Sequence, residues 1–133
     1  MSKTLEALIR SGYDTFISGG ALGFDLISAE AVVNLKSVYP NIRLIFALPC
    51  KGHDIKWKVD ERIRLSVLLR YCDDVVFVSD LYSSDCMLKR NRYMVDNSSY
   101  CISYCTRDTG GTAYTVRYAK AAGIGLTEIS GKV

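Results

Sequence analysis

The 133-residue sequence predicts an α/β three-layer sandwich, with a mostly parallel sheet of about five strands and helices on both faces. Five short runs rich in β-branched and aromatic residues alternate with amphipathic stretches of helical period. The connections between them are short, as βαβ units require. Three of the five runs are nearly continuous in apolar character, which fits parallel strands covered on both faces.

The elements follow in order. Residues 3–11 read as a helix that feeds the first visible strand, residues 13–18 (YDTFIS). Leu22, Leu26, Ala29 and Val33 then fall on one helical face. The second strand, residues 42–48 (IRLIFAL), is framed by the two prolines of the chain, Pro40 and Pro49. Leu65, Leu68, Leu69 and Cys72 repeat the helical spacing before a third strand at 74–79 (DVVFVS). A helix over 87–96 leads to the fourth strand, 100–105 (YCISYC). Thr112, Val116, Ala119 and Gly123 form a small-residue helical face ahead of the fifth strand, 124–129 (IGLTEI). Only the start breaks the pattern, because doubly wound sheets usually begin with a strand and here a helix comes first. Either a strand is missing, or the sheet has closed up in a shortened form.

Composition narrows the function classes. At 49% apolar and 23% charged residues the chain has the make-up of one soluble globular domain. No apolar run approaches the roughly 18 residues of a membrane span. Glu6 and Arg10 interrupt the only apolar stretch near the N-terminus, so it does not read as a signal peptide. Seventeen basic and fourteen acidic residues leave a net charge of +3, too mild to argue for nucleic acid. The five cysteines form no CxxC pair and their odd number suits reduced thiols, so the expected compartment is cytoplasmic. Read this way they are small buried hydrophobes, and no metal site is expected.

Ligands of open α/β sheets bind beyond the carboxyl ends of the strands. There the first strand runs into Ser18-Gly19-Gly20-Ala21-Leu22-Gly23-Phe24-Asp25, which opens a helix. Glycines let a backbone approach a ligand, and the free N–H groups of a helix start favour an anion such as phosphate. The spacing is not GxGxxG, so the dinucleotide fingerprint is absent. A second glycine turn, Asp108-Thr109-Gly110-Gly111-Thr112, follows the fourth strand, with Thr112 placed to cap the next helix. Between them Lys89, Arg90 and Arg92 crowd a helix start where the macrodipole disfavours cations, with Tyr82 and Tyr93 nearby as stacking faces. His53, the only histidine, and Trp57, the only tryptophan, read as an exposed loop residue and a packing residue.

Three blocks, ISGGALGFDLISAE, LKRNRYMVDNSS and GGTAYTVRYAKAAG, together resemble the SLOG superfamily, specifically its YpsA-like branch. More distant likenesses are the DNA-processing protein Smf/DprA and the lysine-decarboxylase-like phosphoribohydrolases. The resemblance implies a Rossmann-like sheet whose glycine loops hold a nucleotide or a nucleotide derivative such as ADP-ribose. By position, Gly19, Gly20, Gly23 and Asp25 match the first loop, Arg90, Asn91 and Arg92 the basic helix start, and Gly110, Gly111 and Thr112 the second loop. Relatives usually begin with a strand that this chain lacks. The phosphoribohydrolases also carry a glutamate just after the second loop, where this chain reads Thr112-Ala113-Tyr114-Thr115. Hydrolysis of an N-glycosidic bond needs such a group to activate water. Glu30 would have to reach back to replace it.

The expectation is therefore a binding domain for a small nucleotide-like ligand, acting as sensor or sequestering protein. Single-stranded DNA binding is the first alternative, and nucleoside monophosphate hydrolysis the second. Bulky residues at Gly20 or Gly111 are expected to abolish binding and leave the fold intact. Unpaired strand edges favour a homodimer.

Overall fold

The computed structural model describes residues 1–104 and 111–129. Five helices and five strands alternate: α1 (Ser2–Arg10), β1 (Thr15–Ser18), α2 (Phe24–Leu35), β2 (Arg43–Leu48), α3 (Val59–Tyr71), β3 (Asp74–Phe77), α4 (Cys86–Asp96), β4 (Tyr100–Tyr104), α5 (Gly111–Ala122) and β5 (Gly125–Ile129). Every strand pair is parallel. The protein is thus a Rossmann-like α/β sandwich, as the alternation of patterns requires.

The core follows from strand alternation. Leu44, Phe46 and Leu48 point to one face of β2 and are buried against Leu5 of α1, Leu26, Ala29 and Val32 of α2, and Leu65 and Leu68 of α3. Ala47, one residue out of phase, is buried on the opposite face, where α4 crosses β2. Each of the large buried side chains stabilises the fold by about 1.5–3 kcal/mol relative to exposure. A polar staple closes the layer: Lys36 Nζ, just past α2, donates to Asp73 Oδ2 at 2.6 Å and to the Tyr71 carbonyl at 3.0 Å. The same Asp73 oxygen accepts from the Leu44 amide at 2.8 Å, and these contacts hold its carboxyl below the usual range.

The strands form two sheets, β1-β2-β3 and β4-β5. The facing edges of β1 and β4 are not hydrogen-bonded to each other, among the described residues. Between them lies a cavity of about 340 Å³, lined by residues 12–18 on one side and 97–100 with Ile102 on the other, and floored by Leu5 and Leu8. Tyr13 and Tyr100 meet across the gap with ring centroids 5.8 Å apart.

Element boundaries match the sequence reading within two residues except at one end. α3 begins at Val59, six residues before the predicted Leu65. Thr112 lies inside the first turn of α5, which starts at Gly111, and so does not precede the helix as a cap would. Cys105 and Gly110 lie outside the described residues.

Candidate functional site

The loop between β1 and α2 is held from inside the protein. Ser18 Oγ accepts from the Gly20 amide at 3.3 Å and donates to the Asp25 carbonyl at 3.0 Å. Asp25 Oδ2 accepts from the Ala21 amide at 3.2 Å, so the carboxylate folds back over the turn it follows. Arg90, from α4, is 4% exposed and its Nη1 donates to the Gly19 carbonyl. Its Nε donates to Asn91 Oδ1 at 2.7 Å. A side chain at Gly19 would place Cβ 2.7 Å from Asp25 Oδ2 and 2.9 Å from the Arg90 guanidinium. Gly19 is therefore a glycine because Asp25 and Arg90 occupy its side-chain space.

Burial pushes the Asp25 carboxyl above its ordinary range, and the positive charge of Arg90 with the Ala21 amide only partly offsets this. Burial also lowers Arg90 from its ordinary value, with Asp25 acting against the shift. The two charges attract without meeting in an ion pair, since neither belongs to a contact within 4 Å. Sequence placed both residues at the site, and the structure brings them together as a strut beneath the loop.

Behind this strut lies a second cavity of about 260 Å³, which runs along β4 from Tyr100 to Ser103, between α4 and α5, and reaches the start of α2 at Phe24 and Asp25. Asp25, Arg90 and Asn91 line it, with Leu22, Met94 and Val116 as apolar walls. Ser103 of β4 also lines it, and its Oγ is buried with no hydrogen-bond partner among the described residues. Gly23, whose φ of 84° turns the chain, precedes α2, and no side chain caps the helix. The dipole of a helix start favours an anion there.

Other predicted residues lie elsewhere. Gly20 has φ 67° and its Cβ position is 2.5 Å from Leu48 Cδ2, so it packs on the core instead of facing a cavity. Arg92 is exposed on the outer side of α4. Its guanidinium sits 5.4 Å from the Tyr114 ring centroid and 5.8 Å from that of Tyr118, and Nε donates to the Tyr114 hydroxyl at 2.8 Å. The two tyrosine rings are stacked at 6.4 Å, and Tyr118 donates to Asp96 at 2.7 Å. Gly111 and Thr112 open α5.

His53, which read as an exposed loop residue, is half-buried against the β1–α2 loop and lies outside the cavity. Its Nε2 lies 3.2 Å from the Gly20 carbonyl, and the ring meets Trp57 edge-on at 5.3 Å. The carbonyl can only accept, so Nε2 carries the proton in this contact. Glu30 does not reach the loop: Arg64 of α3 grips both its oxygens and holds its carboxyl below the usual range. The Cys50 and Cys86 thiols are buried against one another under α4, and burial with the neighbouring thiol pushes Cys50 up. Among the described residues no group of three His, Cys, Asp or Glu is arranged to hold a metal ion.

Parallel strands, a glycine-rich turn into a helix and a cavity along β4 that reaches this turn define a Rossmann-like domain with a candidate ligand site. The YpsA family model, described as the YspA SLOG family, matches residues 1–123, and the chain belongs to this family. It is 30% identical to the uncharacterized SPbeta prophage-derived protein YoqJ of Bacillus subtilis, over 90% of this chain and 77% of that protein. It is 29% identical to a UPF0398 protein of Halalkalibacterium halodurans, over 86% of this chain and 62% of the relative. A UPF0398 protein of Bacillus thuringiensis is 27% identical, over 92% and 68% respectively. Membership points to a nucleotide-related Rossmann-like domain. Among the described residues no helix is long and apolar enough to cross a membrane.

Proposed function

We propose that the chain is a binding domain for a nucleotide or an ADP-ribose-like derivative, in a sensing or sequestering role. The observation that carries this reading is the cavity along β4 between α4 and α5, which reaches the start of α2 and contains the Ser103 hydroxyl, unpartnered among the described residues. Its apolar walls suit a base or sugar, the helix start suits a phosphate, and Ser103 and Asn91 offer polar contacts. The volume is close to the ~300 Å³ lower bound of typical small-molecule sites. Binding without turnover is favoured because Glu30 is committed to Arg64.

The test is a thermal-shift panel of nucleoside mono-, di- and triphosphates, ADP-ribose, NAD and a short single-stranded oligonucleotide. A ligand at about 100 times its Kd adds about 2.7 kcal/mol, a rise of several degrees for a domain of this size. Met94→Trp, which fills the cavity, is expected to remove the shift while the unliganded protein melts within a few degrees of wild type. A nucleotide shift that survives Met94→Trp would place the ligand elsewhere.

Single-stranded nucleic acid is a second reading, favoured by the exposed Arg92 on its tyrosine pair. Stacking rings with a cation is the usual arrangement for unpaired bases. It predicts oligonucleotide binding that weakens steeply with salt and drops on Arg92→Gln. Nucleotide binding in the cavity is expected to be indifferent to Arg92→Gln, so this one variant separates the two readings.

A further inference from the structure

The helix α3 carries apolar residues on two sides. Leu65 and Leu68 are buried in the core, whereas Val59, Ile63, Val67 and Tyr71 are 71%, 57%, 43% and 58% exposed. The exposed four recur every fourth residue, so they form one continuous stripe along the outward side of the helix. Phe77, at the open edge of β3, lines the same shallow depression as Val59 and Ile63 and extends the patch to the end of the sheet. A surface helix that only had to be solvated would carry polar residues at these positions. A contiguous apolar stripe of this kind marks a contact surface.

We propose that this stripe is the interface of a two-fold homodimer, in which α3 lies antiparallel on α3 of a second copy. The argument rests on self-complementarity, the property an isologous contact requires. The stripe is symmetric about position 65. Antiparallel pairing in that register sets Ile63 against Val67 of the second copy and Val59 against its Tyr71. The same register sets Asp60, in the first turn, against Arg70 in the last turn of the second copy. Both are exposed, and neither forms an ion pair within the chain, among the described residues. The charges therefore match twice across the axis, once at each end of an apolar centre. Arg64 is already held by Glu30 and Glu61, so it brings no unpaired cation to the contact.

Sedimentation velocity over a concentration series, from micromolar to several hundred micromolar, tests this directly. The wild-type chain is expected to shift from monomer to dimer with rising concentration. Ile63→Glu is expected to sediment as a monomer throughout, with an unchanged circular dichroism spectrum because residue 63 is outside the core. Asp60→Arg alone, which opposes two cations at each end, is expected to weaken association at least tenfold. The double variant Asp60→Arg/Arg70→Asp is expected to restore it, which no other docking geometry predicts. A wild-type chain that stays monomeric at every concentration overturns the proposal. So does a dimer that Ile63→Glu leaves intact, or one whose affinity the double variant fails to recover. None of these readouts involves a nucleotide, so failure here leaves the ligand site to its own test.

Discussion

Arg90→Leu is expected to destabilise the protein by about 1–3 kcal/mol, the range for leaving a buried hydrogen-bonding group without its partner. Arg90 is almost fully enclosed, and three of its nitrogens are engaged, by the Gly19 carbonyl, Asn91 and the Met87 sulfur. Leucine fills much of the volume but leaves the Gly19 carbonyl without its donor and Asp25 without a positive neighbour. A loss of that size is a large fraction of the ~5–15 kcal/mol total of a domain. Urea unfolding measures it directly.

The same variant has a pH signature. Asp25 is raised in the folded state, so folding takes up a proton there. Its favourable contribution is present below the ordinary carboxylate pKa of about 4, and is lost as pH rises through the folded value. Without Arg90 the folded value rises further, because the charge that lowered it is gone. The deficit of Arg90→Leu relative to wild type should therefore be smaller at about pH 4 than at about pH 7. A deficit that does not change with pH would mean that Asp25 and Arg90 are not coupled. Arg90→Lys keeps the charge but not the planar fork, and is expected to fall between the two.

The alternation of strands and helices was legible because each strand is an apolar run stopped by Asp, Gly or Pro, as in Pro49 after β2 and Asp74 at the start of β3. The first turns of α3 were not, because Val59 and Ile63 face outward and blur the period that marks a buried face. The break between β1 and β4 was equally invisible, since strand pairing is a long-range choice that no local pattern encodes. At the site, the residue types at 19, 25 and 90 were the right ones to single out. What they do was hidden: Arg90 reaches the Gly19 carbonyl from 71 residues away, and nothing in LKRNRY tells a buried arginine from a solvated one. Lys89 and Arg92, beside it, are indeed exposed. His53 had no local signal at all, because its partner is the main chain of a loop 33 residues earlier.

Gly20→Ala separates the role of glycine in a ligand loop from its role in packing. Sequence alone suggests that bulk at position 20 costs binding and spares the fold. The geometry argues the reverse order. Gly20 sits at φ 67°, where a side chain costs about 1–2 kcal/mol, and its Cβ would come within 2.5 Å of Leu48 Cδ2. Leu48 is 3% exposed and has no room to retreat, so overpacking adds about 1–3 kcal/mol. A total near 2–5 kcal/mol should lower Tm well before any ligand is added. Gly52→Ala is the control, since Gly52 has a similar φ of 73° but nothing within 4 Å of its Cβ position. It should show the backbone cost alone. Leu48→Ala opens space where the clash occurs, so Gly20→Ala should cost less in that background than in wild type, down toward the Gly52→Ala value. Strict additivity of Gly20→Ala and Leu48→Ala would show that the contact is relieved by loop movement instead. The glycine would then be held for backbone conformation only.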